Sequence, residues 1–312
     1  MVETNVHFPT DINLLWDSGR KCLDTLGHIK KELGGLSSWR QSEDWRIKLK
    51  KHYRKTSEIH RKKGSNYKER LKSSTKEYLT ICRKLSSKID YTLKDKKLNH
   101  TTRSSLLLII LEDYKQLLDK HIDLVYRRII KGEKIPHNEK LFSIFEPYTE
   151  WLNKGKVYKN VELGLNIQVA TDQYHFIVCH HVMQHEVDSQ MVIPMSDYIV
   201  EHFNEQDYKY KTISFDKNYF SYNAKQMLEK LFDKVIMPKP GKKSKALEIE
   251  ESSKTFVALR QKHSLIESNI NQLEHHGLNK CPDKGIHGFK RYVSLGIIAY
   301  NLHRLGNILK KI

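Results

Sequence analysis

The sequence predicts an α/β protein in which a large, mainly helical insertion follows the first strand of the sheet. Residues 10–132 contain long segments of helical periodicity and no proline. After Pro136, short strand-like runs alternate with helical ones, which is typical of an α/β layout. We therefore predict a first core strand within residues 1–9, a basic helical insertion over residues 10–132, and an α/β core with C-terminal helices over residues 133–312.

The amino-terminal half begins with one strand and is otherwise helical. Residues 2–8 alternate well enough for a short strand, which Pro9 ends. Asp11 is predicted to be the N-cap of the first helix. Residues 106–126 predict a strongly apolar helix that is suited to burial inside a helical bundle.

The carboxyl-terminal half alternates between strands and helices. Its predicted strands are residues 141–145, 162–170, 175–183, 212–215 and 234–237. Predicted helices cover residues 189–203, 253–276 and 287–309. A further helix is predicted from apolar positions at Met227, Leu228, Leu231 and Phe232.

Composition and charge favour a polyanionic partner and exclude several classes of protein. The 312 residues carry a formal net charge of +18, and neutralising phosphates would release counterions and drive binding. No apolar run approaches the roughly 20 residues of a membrane-spanning helix, and no secretory signal pattern is present. Four scattered cysteines without a CxxC pair argue against a disulfide framework and a structural zinc, and predict a cytoplasmic protein.

Residues 46–97 are strongly basic and have aromatic side chains interleaved with the charge. This pattern predicts a helical surface along a DNA backbone. The alternative is a solvated helix face whose aromatics belong to a local core. The predicted DNA contacts in this segment are Arg54, Lys55, Arg61, Lys62 and Lys63.

Two carboxylates are candidate metal ligands. Asp216 follows the predicted strand 212–215, and the edge of a sheet where strands end is where open α/β sheets place ligands. Its alternative role is to cap the next turn. Glu267 lies beside a predicted buried stripe, where an acid is costly unless it is paired or holds a metal. That stripe is Phe256, Leu259, His263, Ile266, Ile270 and Leu273.

A strand-end Asp and a helical Glu suit a divalent ion for phosphoryl transfer, since Mg²⁺ prefers hard oxygen ligands. Basic residues next to the two carboxylates are predicted to contact the DNA backbone, with exposure to solvent as the alternative. These residues are Lys217, Arg260 and Lys262, together with Lys242 and Lys243 in the loop PKPGKKSK.

Several blocks of text, in order along nearly the whole chain, resemble the DDE transposases of bacterial insertion sequences, of the ISNCY-like branch. They are VETNVHFPTDINLLWDSGRK, HNEKLFSIFEPYTEWLNKGK, VELGLNIQV, VMQHEVDSQMVIPM, SFDKNYFS, RQKHSLIESNINQLEHHGLNKCPDKG and HGFKRYVSLGIIAYNLHRLG. The resemblance implies a ribonuclease-H-like fold, catalytic Asp216 and Glu267 with Mg²⁺ or Mn²⁺, and a homo-oligomer that acts on DNA.

One catalytic residue of that family is missing here. Its first Asp lies a few residues upstream of the VETNVHFPTD text, and this chain starts at Met1 directly before that text. Asp11 and Glu3 have their own places in the motif and do not replace it. We therefore expect an amino-terminally truncated transposase with impaired strand cleavage and transfer. The alternatives are a non-catalytic DNA-binding remnant and a basic, RNA-associated helical protein.

Overall fold

A computed structural model describes residues 1–95, 98, 101–153, 161–203 and 210–310, so Lys96 and Lys97 at the end of the basic segment lie outside the described residues. In these ranges the protein is mixed α/β and predominantly helical. The chain divides into two compact units. We call His7–Pro147 the helical unit, and Met1–Val6 with Tyr148–Ile312 the α/β unit.

The helical unit is built from long helices. They are α1 (Asp11–Glu32), α2 (Ser42–Lys62), α3 (Tyr67–Leu93) and α4 (Thr102–Val125), which continues as a π-helical turn (Tyr126–Lys131). Thr10 rather than Asp11 caps α1, because its hydroxyl accepts the amide N–H of Asn13 at 3.1 Å. Asp11 is instead the first helical residue, where a negative charge is favoured by the helix dipole.

One apolar core holds the helical unit together. Helix α1 packs on α2 and α4, and α3 packs on the same two helices. The core includes Leu15 and Cys22 of α1, Leu85 of α3 and Leu118 of α4. The prediction of a fully buried α4 is wrong for its first turns, since Ile109 is 57% exposed. A surface helix of a bundle buries one stripe, so an all-round apolar sequence leaves some side chains in water.

The largest sheet of the α/β unit joins strands that are distant in sequence. In the described part of the chain its order is β2 (Glu150–Asn153), β3 (Val161–Leu165), β1 (Val2–Thr4) and β8 (Lys280–Cys281). Strand β3 is antiparallel to both of its neighbours, whereas β1 and β8 are parallel. Gly164 makes the centre possible, because a Cβ there would lie 2.1 Å from the carbonyl oxygen of Val2.

Two smaller sheets complete the described strands. Strands β4 (Ile167–Thr171) and β5 (Ile177–Val182) form an antiparallel hairpin, and β6 (Thr212–Ser214) pairs in parallel with β7 (Lys234–Ile236). The single strand predicted over residues 162–170 is therefore two strands that join different sheets. The break falls at Asn166, whose carbonyl accepts the amide N–H of Met183 at 3.0 Å.

The strand predicted over residues 141–145 is wrong, because this segment is irregular. The hydroxyl of Ser143 accepts the amide N–H groups of Phe145 at 3.1 Å and of Glu146 at 3.0 Å. These local bonds compete with ladder hydrogen bonds and turn the chain.

The helices of the α/β unit are α5 (Val192–Phe203), α6 (Tyr222–Leu228), α7 (Lys245–Ser252), α8 (Lys254–His263), α9 (Leu265–Leu273) and α10 (Gly285–Leu309). The long helix predicted over residues 253–276 is interrupted at Ser264, whose hydroxyl donates to the Gln261 carbonyl at 2.6 Å. Met227 is half exposed, so its predicted apolar contact is wrong, while Leu228 and Phe232 are buried. Among the described helices, none has the length and apolar content needed to cross a membrane.

Candidate functional site

Asp216 lies just beyond the carboxyl end of β6. The parallel pairing of β6 with β7 continues past the strand, since Phe215 donates its amide N–H to the Ile236 carbonyl at 2.8 Å. The Asp216 side chain is exposed and accepts the amide N–H of Lys217 at 2.7 Å, which caps the turn Lys217–Tyr219. The carboxylate therefore occupies the predicted sheet edge and also has the capping role that was its alternative.

Glu267 lies on α9 in a different environment from the one predicted. Its side chain is exposed, and within the predicted stripe only Phe256 and Leu273 are fully buried among the side chains described. Asn269, which is not part of the predicted stripe, is buried in α9. The argument from a costly buried acid is wrong, and Glu267 is accessible to solvent and ligands.

His263 connects the two carboxylates electrostatically. Helix α8 packs against β6 and β7, and His263 at its end hydrogen-bonds the backbone of Ser214. Burial lowers the pKa of His263, while the charges of Asp216 and Glu267 and the bond to Ser214 oppose that shift. Both acids therefore lie within electrostatic reach of the same imidazole.

Asp188 is a third acid near this site, and sequence reasoning missed it. The turn Asp188–Met191 packs against the turn Lys217–Tyr219. Burial, and then the charge of Asp216, raise the pKa of Asp188. Burial and the charge of Asp188 raise the pKa of Tyr219 to about 12. An Asp before a helix is an ordinary helix start in sequence, so nothing along the chain links Asp188 to Asp216.

The donor set suits magnesium better than a transition metal. In the described ranges, no three or more His, Cys, Asp or Glu side chains lie close enough together to hold an ion. Magnesium keeps several waters and is commonly held by one or two carboxylates together with substrate phosphates. Asp216 and Glu267 provide oxygen ligands of this kind on an accessible surface, so they fit an ion that is completed by water and phosphate.

The predicted DNA contacts differ in whether their charge is paired. Lys55 binds Glu77 at 2.8 Å, Lys62 binds Glu58 at 2.6 Å, and Lys243 binds Glu251 at 2.7 Å. The other predicted contacts are exposed and form no ion pair with a described residue: Lys217, Arg260, Lys262, Lys242, Arg54, Arg61 and Lys63. These seven side chains keep their charge available for a partner.

Comparisons of this chain with models of known protein families, with curated proteins and with solved structures gave no match. The function is therefore argued from the residues of the chain and their arrangement.

Proposed function

We propose that this chain acts on DNA as a DDE transposase does, with a ribonuclease-H-like α/β unit, and that its metal-dependent strand cleavage and strand transfer are impaired because only Asp216 and Glu267 of the family's catalytic acids are present. The observation that carries the proposal is an accessible strand-end carboxylate, Asp216, which shares the electrostatic environment of His263 with Glu267. Three basic side chains that form no ion pair with a described residue are close to these acids in sequence. Lys217 follows Asp216, and Arg260 and Lys262 precede Glu267.

The strand arrangement is compatible with this assignment. Strand β1 has an antiparallel neighbour, β3, on one side and a parallel neighbour, β8, on the other. Asp216 follows a further parallel pair, and the carboxyl ends of parallel strands are where open α/β sheets bind ligands. In the described residues these strands form separate small sheets, so the ribonuclease-H-like fold is part of the proposal.

The roles of the residues follow from their positions. Asp216 and Glu267 would hold Mg²⁺, or Mn²⁺ in its place, and the bound ion would stabilise negative charge on the attacking and leaving oxygens. The amide N–H of Lys217 fixes the orientation of the Asp216 carboxylate. Lys217, Arg260 and Lys262 bind phosphates of the DNA backbone, which orients the strand but does not select its sequence.

Calorimetry with Mg²⁺ and Mn²⁺ tests the metal site, with DNA cleavage measured on the same samples. Asp216→Asn and Glu267→Gln each remove one negative ligand at nearly constant volume. We expect metal binding to weaken by tenfold or more in either variant. Glu274→Gln is the matched control, because Glu274 is an exposed acid two turns further along the same helical segment. Unchanged metal binding in Asp216→Asn would refute the site.

A second candidate function is DNA binding without catalysis. Two observations favour it: Asp216 already has a structural partner in the Lys217 amide, and the described ranges hold no three-ligand metal group. Cleavage by the wild-type chain that is lost in both variants supports the transposase proposal. DNA binding that persists in all samples, with neither cleavage nor metal binding in the wild type, supports the second candidate.

A further inference from the structure

An open groove lies on the surface of the helical unit. Its volume is about 670 Å³, and one side is formed by Trp45 of α2. The rest is lined by one face of α3, whose residues recur at intervals of three and four. They are Thr80, Arg83, Lys84, Ser87, Lys88 and Tyr91.

The groove is basic. Its lining contains three cations and no acid, and Arg83, Lys84 and Lys88 form no ion pair with a described residue. The acids of the adjoining depression are already paired, since Asp119 binds Lys115 at 2.8 Å and Asp123 binds Arg127 at 3.4 Å. The three cations of the groove are therefore not neutralised by a described acid, whereas the acids of the adjoining depression are neutralised by Lys115 and Arg127.

Two aromatic side chains, Tyr91 and Trp45, line the groove beside these cations. Tyr91 is 79% exposed, more than any other exposed large apolar side chain of the described residues. Trp45 is partly buried, with its ring 6.3 Å from that of Trp39. The Nζ of Lys88 lies 4.7 Å from the Trp39 ring centroid and 5.5 Å from that of Trp45, so this cation contacts both rings.

Basic side chains and the exposed ring of Tyr91 together favour a partner with both phosphates and flat rings. Unpaired nucleotides meet this requirement, because each base offers a face for stacking and each phosphate a charge. Duplex DNA satisfies the cations equally well, but its bases are stacked on each other and are not available to Tyr91. An acidic peptide would satisfy the charge but would leave the aromatic side chains without a specific contact.

We propose that this groove binds an unpaired segment of DNA, with a base stacked on Tyr91 and phosphates bound by Arg83 and Lys84. The choice of DNA over RNA rests on the proposed function, in which strands are cut and joined. The groove extends that function by naming the form of DNA that the helical unit recognises. None of its residues belongs to the metal site, and all of them except Trp45 lie within residues 46–97, the basic segment that the sequence predicts to face DNA.

Fluorescence anisotropy with the full chain tests the groove, using a labelled oligothymidine of about 12 nucleotides and a duplex of the same length. We expect Tyr91→Ala to weaken single-strand binding by about 5- to 100-fold, the range measured when one base loses its aromatic stacking partner, and to leave duplex binding within about twofold. Tyr91 is so exposed that this substitution removes no core contact. Tyr174→Ala is the matched control, because Tyr174 is 54% exposed in the α/β unit.

A charge variant tests the second half of the groove. Lys84→Ala is expected to lower the salt dependence of single-strand binding, and the logarithmic slope should change by about 0.7 for each phosphate that the variant no longer neutralises. Lys72→Ala is the control, because Lys72 is exposed on α3 and does not line the groove. Equal single-strand affinities of the wild type and Tyr91→Ala would overturn the proposal, and so would full competition by polyglutamate or tighter binding of the matching RNA.

The two proposals fail in different ways. If Asp216→Asn loses metal binding while Tyr91→Ala binds single strands as the wild type does, the groove proposal is rejected and the metal-site proposal is supported. Weaker single-strand binding in Tyr91→Ala, with no metal bound by the wild-type chain, supports the groove and removes the strand-cleavage function.

Discussion

At the scale of single residues, Gly164 shows how closely two backbones approach in the largest sheet. It lies in β3 opposite both Glu3 of β1 and Glu150 of β2. A Cβ would meet the Val2 carbonyl oxygen at 2.1 Å and the Glu3 Cα at 2.8 Å. Because both atoms belong to the backbone, no side-chain rotation can relieve the contact, and β1 must move.

We therefore predict that Gly164→Ala destabilises the α/β unit by about 1–3 kcal/mol, the usual cost of overpacking. Gly306→Ala is the control within the same unit, because a Cβ at Gly306 in α10 meets no atom within 4 Å. Alanine in a helix should stabilise by up to about 1 kcal/mol. Urea unfolding followed by circular dichroism measures both. Equal unfolding midpoints for the two variants would contradict the prediction.

His121 is a buried imidazole in the core of the helical unit. Its Nδ1 lies 2.7 Å from the Leu117 carbonyl oxygen and 3.2 Å from the Ser18 hydroxyl, while its Nε2 has no hydrogen-bond partner among the described residues. Burial lowers the pKa of His121 to about 4. The unfolded chain takes up the proton near pH 6.5, so its protonation favours the unfolded state.

The stability from neutral His121 is therefore fully present above pH 6.5 and is lost as the pH falls towards 4. At about 1.4 kcal/mol per unit of pKa difference, the loss reaches about 3 kcal/mol. Urea unfolding between about pH 7 and 4 measures this loss of stability, because that range covers the pKa values of His121 in the unfolded and folded states. His121→Leu should reduce the acid sensitivity by that amount, since no buried imidazole remains to be protonated. An identical pH profile for the two proteins would contradict this assignment.

At the scale of elements, the structure separates what local pattern predicts from what tertiary packing decides. The last helix was predicted well, because buried residues recur at intervals of three and four along α10 from Phe289 to Tyr300. The long helix before it was predicted as one piece, but Ser264 interrupts it. Strand β8 has two residues and is held by pairing with β1, so it has no periodic pattern of its own to detect.

The same division applies to the candidate site. The position of Asp216 at the end of a strand follows from the local pattern of residues 212–215. Glu267 is exposed although it lies beside the predicted stripe, and the proximity of Asp188 depends on the packing of two turns. Contacts between distant segments leave no periodic signal, so these two features required the structure.

The start of α4 provides a prediction at this scale. The hydroxyl of Thr101 accepts the amide N–H of Ser104 at 3.0 Å, and the Ser104 hydroxyl accepts that of Thr101 at 3.0 Å. Thr101→Ala removes half of this capping box and should cost the helical unit about 1 kcal/mol. Thr102→Ala, one residue later and outside the box, should change stability by only a few tenths. Thermal unfolding distinguishes them, and equal melting temperatures would argue against the cap.

At the scale of the whole molecule, the two units differ in how the chain supplies them. The helical unit is one continuous segment, His7–Pro147, and its core draws on residues within that segment. The α/β unit takes its first strand from Met1–Val6 and the rest from Tyr148–Ile312. The helical unit is therefore covalently inserted into the α/β unit after β1.

We predict that a fragment of His7–Pro147 folds on its own, because it retains the whole of its apolar core. Circular dichroism should show a helical spectrum and a cooperative thermal transition. Deleting Met1–Val6 from the full chain is the complementary variant. It removes β1 and should destabilise the α/β unit, while the helical transition keeps its midpoint. A fragment without a cooperative transition would contradict the division.

The pairing of β1 with β8 has a consequence for the order of events during synthesis. Glu3 pairs with Lys280 and Thr4 with Cys281. Strand β1 is synthesised early, and its partner β8 is synthesised much later. At about 5–20 residues per second, that delay is on the order of tens of seconds. The helical unit is complete long before then. Strand β3 can pair with one edge of β1 once residue 165 has been made. The nascent chain therefore carries a finished helical unit and a β1 strand with one open edge until β8 is made, and a chaperone could bind that edge.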